Sequence, residues 1–301
     1  MSRCKRSVIE FNTDTLEKII NNPENILNNE DVFWKEERAQ KLTKDWAKNI
    51  GYEIPFDKWR REIKNWIKIP AEEREKHIFM QNCRKIIKFK EDFLSKALHH
   101  ICNFLPKEAN VDVTIYFTAF IPPRAFAQED IVINVSARYW NENADNIINA
   151  IIHEIYHVGY EWYFERRLEE KLENEVLYQI LNNIVKEGIC TYVAYKALPI
   201  FPAPDEKDFK LFNDIEQVQK SFKAVNKIIS MINHLPHDEL QKMIMNQGII
   251  GRAYYVVGSF ISKTIDEVKG REILKDKLLE GPASYIKEYN AIAEKDLLVI
   301  F

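Results

Sequence analysis

Only two stretches of this chain read as β-strand, and they lie close together, just ahead of a single apolar helix. Val111–Phe117 alternates and is rich in β-branched and aromatic residues, and Ile131–Val135 forms a second such run. Pro122-Pro123 forces a turn between them. Asn141-Glu142-Asn143-Ala144-Asp145 then supplies polar N-cap chemistry, after which Ile147, Ile148, Ile151, Ile152, Ile155 and Val158 recur at helical spacing. The remainder is helical in texture. Only 8 glycines occur in 301 residues, which favours helices with few tight turns. Residues 13–104 read as amphipathic helices punctuated at Pro23, Pro55, Pro70 and Pro106, the longest being Ala71–Phe104. Residues 161–200, 206–247 and 249–301 read as helical too, jointed at Pro202, Pro204, Pro236 and Gly281-Pro282. The expected fold is α+β and predominantly helical: a helical region over 1–105, then 106–301 with a small β-sheet, one central helix and a helical C-terminal half.

Bulk properties exclude several classes of function. With 46% hydrophobic residues the chain can bury a core without a disulfide framework. A net charge of −3 and no basic stripe argue against a nucleic-acid partner. Arg84, Lys85, Lys88 and Lys90 are interrupted by apolar residues and read as a solvated helix face. No apolar run is long enough to span a membrane, and Met1–Asp14 has no apolar core of a secretory signal. Cys4, Cys83, Cys102 and Cys190 are widely spaced, which suggests free thiols, a reducing compartment and a cytoplasmic protein.

The central helix carries His153-Glu154-Ile155-Tyr156-His157. Histidines four residues apart lie one turn apart on one helix face, where both imidazoles can grip one ion. Glu154, beside them, is placed to act as a general base on a water molecule. Such a site points to Zn2+, which lowers the pKa of water and polarises a carbonyl. Two buried core histidines would be the structural alternative.

A catalytic zinc site needs a third protein ligand and an open position. No histidine follows six residues after His157, so a carboxylate on the next helix is expected. Glu169, Glu170, Glu173 and Glu175 belong to the charged run Glu165–Glu175, which reads as a solvated helix face. Glu187 stands apart, a lone acid in the largely apolar Leu181–Leu198. A carboxylate in such surroundings is costly unless paired or ligated, and the adjacent Gly188 lets a neighbouring helix come close. Glu187 is the preferred third ligand, with the other four glutamates as competitors.

Taken together, His153-Glu154-Ile155-Tyr156-His157 and Glu187-Gly188-Ile189-Cys190-Thr191-Tyr192 resemble the gluzincin peptidases, whose third ligand often lies in a Glu-Gly segment of a second helix. The resemblance is strongest to uncharacterised bacterial families described as zinc-dependent peptidases, and it covers about residues 110–290. Tyr254-Tyr255-Val256-Val257-Gly258 resembles the Tyr-x-x-Gly segment of gluzincins, which implies that the Tyr255 hydroxyl stabilises the oxyanion; two tyrosines packed on a helix would look the same. Three departures are visible. Residues 158–186, 29 in all, separate the last histidine from Glu187, against about 18 or 19 in thermolysin-like relatives, so an inserted helical excursion is expected. Thr191 stands where relatives often carry an acid. The Gly-x-Met-Glu-Asn segment that captures a free amino terminus in one aminopeptidase branch is absent.

The expected activity is hydrolysis of a peptide or protein substrate by zinc-activated water. Glu154 and Tyr255 are the expected catalytic residues, and His153, His157 and Glu187 the metal ligands. A zinc hydrolase acting on another amide or ester is one alternative, and a binding protein that keeps the fold without turnover is another. In the resembled architecture the strand before the active-site helix lies at the cleft edge, which nominates Ile131–Val135 for pairing with substrate. Arg124, Arg138 and Arg252 could meet a substrate carboxylate, though a surface role is the expectation for each, and His234 and His237 are expected in a turn around Pro236.

Overall fold

The structure, a computed structural model, describes residues 6–161 and 174–301. The chain divides into two compact units. The first comprises residues 1–101, 110–158 and 199–205; the second comprises 102–109, 159–198 and 206–301.

The sheet of the first unit is built from β1 (Arg6–Asn12), β2 (Asn110–Thr118), β3 (Ala125–Ala127) and β4 (Ile131–Asn134), in the order β1-β2-β4-β3. β1 and β4 flank β2 in parallel, and β3 pairs antiparallel with β4. Side chains alternate between faces. Phe11 and Phe117 share one face and meet edge to face at 5.3 Å, with Phe93 of a long helix 5.7 Å from Phe11. Tyr116, Phe126 and Val132 lie on the other face against Ala39, Leu42 and Trp46. Both faces are thus covered by helices, which is why β4 is buried at every position.

Six helices lie between β1 and that long helix: α1 (Asp14–Asn21), α2 (Pro23–Asn28), α3 (Glu30–Glu36), α4 (Arg38–Asn49), α5 (Phe56–Lys68) and α6 (Ala71–Arg74). The long helix is α7 (Ile78–Cys102). Residues 71–104, expected as one helix, form two. The chain turns between α6 and α7, where the His77 ring accepts a hydrogen bond from the Phe79 N–H (3.2 Å) and so satisfies a donor of the first turn of α7. β1 also lies in a stretch where the sequence suggested no strand. Ile131–Val135 is not an edge either: β4 is paired on both sides, and the edge belongs to the three-residue β3.

β4 leads into α8 (Ala144–Tyr160) through a short turn. The Trp140 indole N–H donates to the Asn134 carbonyl (2.5 Å), and the Asp145 N–H donates to the Asn143 side chain (2.9 Å), the N-cap that the sequence suggests. Ile147, Ile148, Ile151, Ile152 and Ile155 are all buried, so α8 is fixed along its apolar stripe.

The second unit is helical: α9 (Glu175–Lys196), α10 (Lys207–Phe212), α11 (Ile215–Ser230), α12 (His237–Met243), a π-helical turn over Ile244–Ile250, α13 (Ala253–Val268), α14 (Arg271–Glu280) and α15 (Pro282–Asn290). α9 and α13 touch backbone to backbone. A Cβ on Gly188 would fall 2.2 Å from Gly258 Cα, and one on Gly258 would fall 1.9 Å from the Ile184 carbonyl oxygen. Only glycine permits such contact, and the Ser259 hydroxyl donates to the Gly188 carbonyl (3.2 Å) at the same place. Phe222 of α11 packs on Phe260 of α13 (6.1 Å). The Tyr192 hydroxyl donates to Asp266 (2.7 Å), which also receives the Arg271 guanidinium (2.5 Å).

The architecture is α+β and predominantly helical with one small sheet, as the sequence suggests. Among the described residues, no helix is long and apolar enough to cross a membrane. One expectation fails on chemistry: Cys102 is disulfide-bonded, so four free thiols no longer support a reducing compartment. Cys83 is a buried thiol whose pKa burial raises strongly. Of the charged run Glu165–Glu175, residues 165–173, with Glu169, Glu170 and Glu173, lie outside the described residues, and Glu175 opens α9.

Candidate metal centre

α8 presents His153 and His157 one turn apart on one face. Their Nε2 atoms stand 2.9 Å from each other and their ring centroids 4.6 Å, with planes 72° apart. His157 is 6% exposed, and Glu154, next to His153 in the chain, is 8% exposed. Both imidazoles therefore aim the same nitrogen at one point beside a carboxylate-bearing turn of the helix.

Glu187 lies in the middle of α9, half-buried and followed by the buried run Gly188–Ala194. The end of α8 is tied to the same helix. The Tyr160 hydroxyl donates to the Asn182 side chain (3.3 Å), and Lys186 pairs with Glu161. One ligand atom from each of His153, His157 and Glu187 falls within a group whose members all lie within 4.8 Å of one another. A tetrahedral ion of zinc's size holds its donor atoms about 3.3 Å apart, between the 2.9 Å of the two imidazoles and the 4.8 Å limit of the group. Two neutral imidazoles and one carboxylate are also the donor chemistry of a catalytic zinc. Among the described residues this is the one group of three or more histidine, cysteine or carboxylate side chains gathered in this way.

The tyrosine pair separates cleanly. Tyr254 is fully buried, its ring lies against Gly248, and among the described residues no group bonds its hydroxyl. Burial raises its pKa. Tyr255 instead faces Glu187. Burial raises the Tyr255 pKa well above the ordinary value, and the charge and hydrogen bond of Glu187 push the same way. The Arg252 charge opposes them.

Arg252 itself corrects the expectation of a surface residue. Its Nε donates to Asp208 Oδ1 (2.9 Å), a second guanidinium nitrogen reaches Oδ2, and its guanidinium carbon sits 3.1 Å from the centre of the Tyr255 ring. Burial works against the Arg252 charge, but Tyr255, Asp208 and Glu187 together raise its pKa. Sequence reasoning missed this pair, because Asp208 lies 44 positions away in the chain with nothing local to connect the two. Arg138 pairs with Glu62 at the surface, as expected, while Arg124 lies over the Trp140 ring (4.8 Å). The residues around His234 form the turn suggested by Pro236, after which His237 opens α12. Thr191 is buried one turn after Glu187.

A family model described as "putative zinc dependent peptidase (DUF5700)" matches residues 11–297. The match takes in the N-terminal helices as well as the motif region, more than the 110–290 covered by the sequence resemblance. No curated protein and no solved structure matches the chain.

Proposed function

The chain belongs to the DUF5700 family, and from that premise we propose that it hydrolyses peptide bonds, with His153, His157 and Glu187 holding one zinc ion. The observation that carries the reading is the gathering of these three side chains around one point, with Glu154 one residue from His153. Bound there, zinc would supply positive charge that polarises the scissile carbonyl and makes water more acidic.

The residues of the chain divide the remaining work. His153 and His157 offer neutral donors from a buried, rigid helix, and Glu187 adds the negative charge that makes the set a stable cage for a dication. Glu154 takes a proton from the attacking water and passes it to the leaving amine. The Tyr255 hydroxyl donates to the carbonyl oxygen as negative charge gathers there. In the structure that hydroxyl is bonded to Glu187, so it exchanges one acceptor for another when substrate arrives.

An open edge at β3 is a feature that an extended peptide substrate can use. The Asn134 N–H donates to the Arg124 carbonyl (2.9 Å) and the Gln128 N–H to the Asp130 carbonyl (2.9 Å). Antiparallel bonding alternates, so Arg124, Phe126 and Gln128 bond inward to β4 while Ala125 and Ala127 turn their peptide groups to the outer edge. An extended peptide can add there as a further strand.

The test is digestion of fluorescein-labelled casein by the zinc-loaded protein. Cleavage that 1,10-phenanthroline stops and added zinc restores is the expected result. Zinc-dependent cleavage of p-nitrophenyl acetate with casein left intact would replace the peptidase with an ester or amide hydrolase. Stoichiometric zinc without turnover of either would leave a binding protein.

A further inference from the structure

We infer that Arg252, gripped by Asp208, is a positioning residue that fixes the ring of Tyr255 against Glu187. This inference rests on reading Tyr255 as the oxyanion donor, and it begins from the backbone. The chain enters α13 through the π-helical turn Ile244–Ile250, then Gly251, then Arg252 in the left-handed region at φ 65°. A Cβ at Gly251 would fall 2.7 Å from the Gln247 carbonyl oxygen, so the turn is as tight as glycine allows. A non-glycine residue at positive φ is uncommon, and such strain persists where the surroundings hold it and collects at functional sites. π-helical turns show the same preference.

What holds Arg252 is specific. Asp208, buried on α10, takes the fork of the guanidinium through both carboxylate oxygens. A two-point contact fixes the guanidinium plane as well as its position. The guanidinium carbon lies 3.1 Å from the centre of the Tyr255 ring, so that fixed plane is stacked on the ring face. The hydroxyl of the same ring is hydrogen-bonded to Glu187. The order of restraint is therefore Asp208, Arg252, Tyr255, Glu187.

Two simpler roles fit less well. An ordinary ion pair would need neither the stacked ring nor the left-handed backbone. An anchor for a substrate carboxylate would have only the Nη1 end of the guanidinium to work with, because Asp208 takes the Nε–Nη2 edge. A lysine at 252 would keep the charge but lose both the fork and the flat face.

The test uses the full-length zinc-loaded protein with 3-fluorotyrosine at position 255, read by 19F NMR, alongside kcat and KM on fluorescein-labelled casein. Arg252→Gln and Asp208→Asn are compared in the wild-type and Tyr255→Phe backgrounds. Asp208→Asn preserves shape and keeps the test open if Arg252→Gln folds poorly. The expected result is a 255 resonance that moves and broadens in both variants. The casein kcat falls up to roughly a hundredfold with KM little changed. In the Tyr255→Phe background the same substitutions cause no further loss, because the group they position is gone. An unmoved fluorine resonance, or losses that multiply with that of Tyr255→Phe, would overturn the inference. The failures are separable: a wild-type protein that takes up no zinc and leaves casein intact defeats the hydrolase reading, while the fluorine signal still decides whether Arg252 restrains the ring.

Discussion

Gly188 and Gly258 meet with no side chain between them, a Cβ on the first falling 2.2 Å from the Cα of the second. Glu187 precedes one of these glycines, and Tyr255 lies three positions before the other. The contact that joins α9 to α13 is thus also what brings the Glu187 carboxylate and the Tyr255 hydroxyl within hydrogen-bonding reach.

Gly258→Ala or Gly188→Ala forces the two backbones apart. Overpacking of this kind destabilises by about 1–3 kcal/mol or more. Urea denaturation should show a lower midpoint with an unchanged slope. Zinc affinity should fall in the same variants because Glu187 is displaced. Full stability in both would mean that the helices slide freely and that the glycines do not set the geometry.

The two tyrosines should behave oppositely. Tyr255→Phe should lower kcat by roughly tenfold to a thousandfold with little change in KM. Tyr254→Phe removes a buried hydroxyl that no described residue bonds, so activity should hold and stability should stay level or rise. Steady-state kinetics and thermal melts on both variants check this; a kinetic loss confined to Tyr254→Phe would move the oxyanion role by one residue.

Glu154→Gln keeps the shape and removes the base. Turnover should fall by roughly a hundredfold to ten-thousandfold while zinc stays bound. Active-site titration with metal analysis on the same sample checks both halves, and unchanged turnover would remove Glu154 from the mechanism.

Acid should unfold the second unit partly through Asp266. Burial raises the pKa of this carboxyl, but hydrogen bonds from Arg271 and Tyr192, with the Arg271 charge, outweigh it and leave the pKa lowered. Asp266 therefore stabilises the fold above its unfolded pKa of about 3.9, and that contribution is lost as pH falls through the folded value. Asp266→Asn should lower stability at neutral pH by about 1.5–3 kcal/mol, the range for hydrogen bonds to a charged group, and flatten the acid limb of the stability profile. Urea midpoints from pH 7 down to pH 3 measure it; parallel profiles for the variant and the wild type would exclude Asp266 as a contributor.

Local pattern made much of this legible. The alternation of Val111–Phe117, the N-cap at Asn143 and the isoleucine stripe of α8 all follow from short-range periodicity, and the structure keeps each. The sequence singles out Glu187 because a lone acid on an apolar helix has few ways to be satisfied, and the structure gathers it with His153 and His157. β1 was not, because Arg6–Asn12 becomes a strand only through pairing with β2 about a hundred residues later. The edge also escapes local pattern: Ala125–Ala127 is too short to announce itself, yet it pairs with β4 and covers that side of the strand. The Arg252–Asp208 pair depends on a turn and a helix that meet only in three dimensions.

Metal content tests the central claim most directly. Elemental analysis of protein purified without chelator, run beside Glu187→Ala and His157→Ala, should find about one zinc per wild-type chain and much less in each variant. A wild-type chain that arrives without metal and takes up no added zinc at neutral pH would contradict the account.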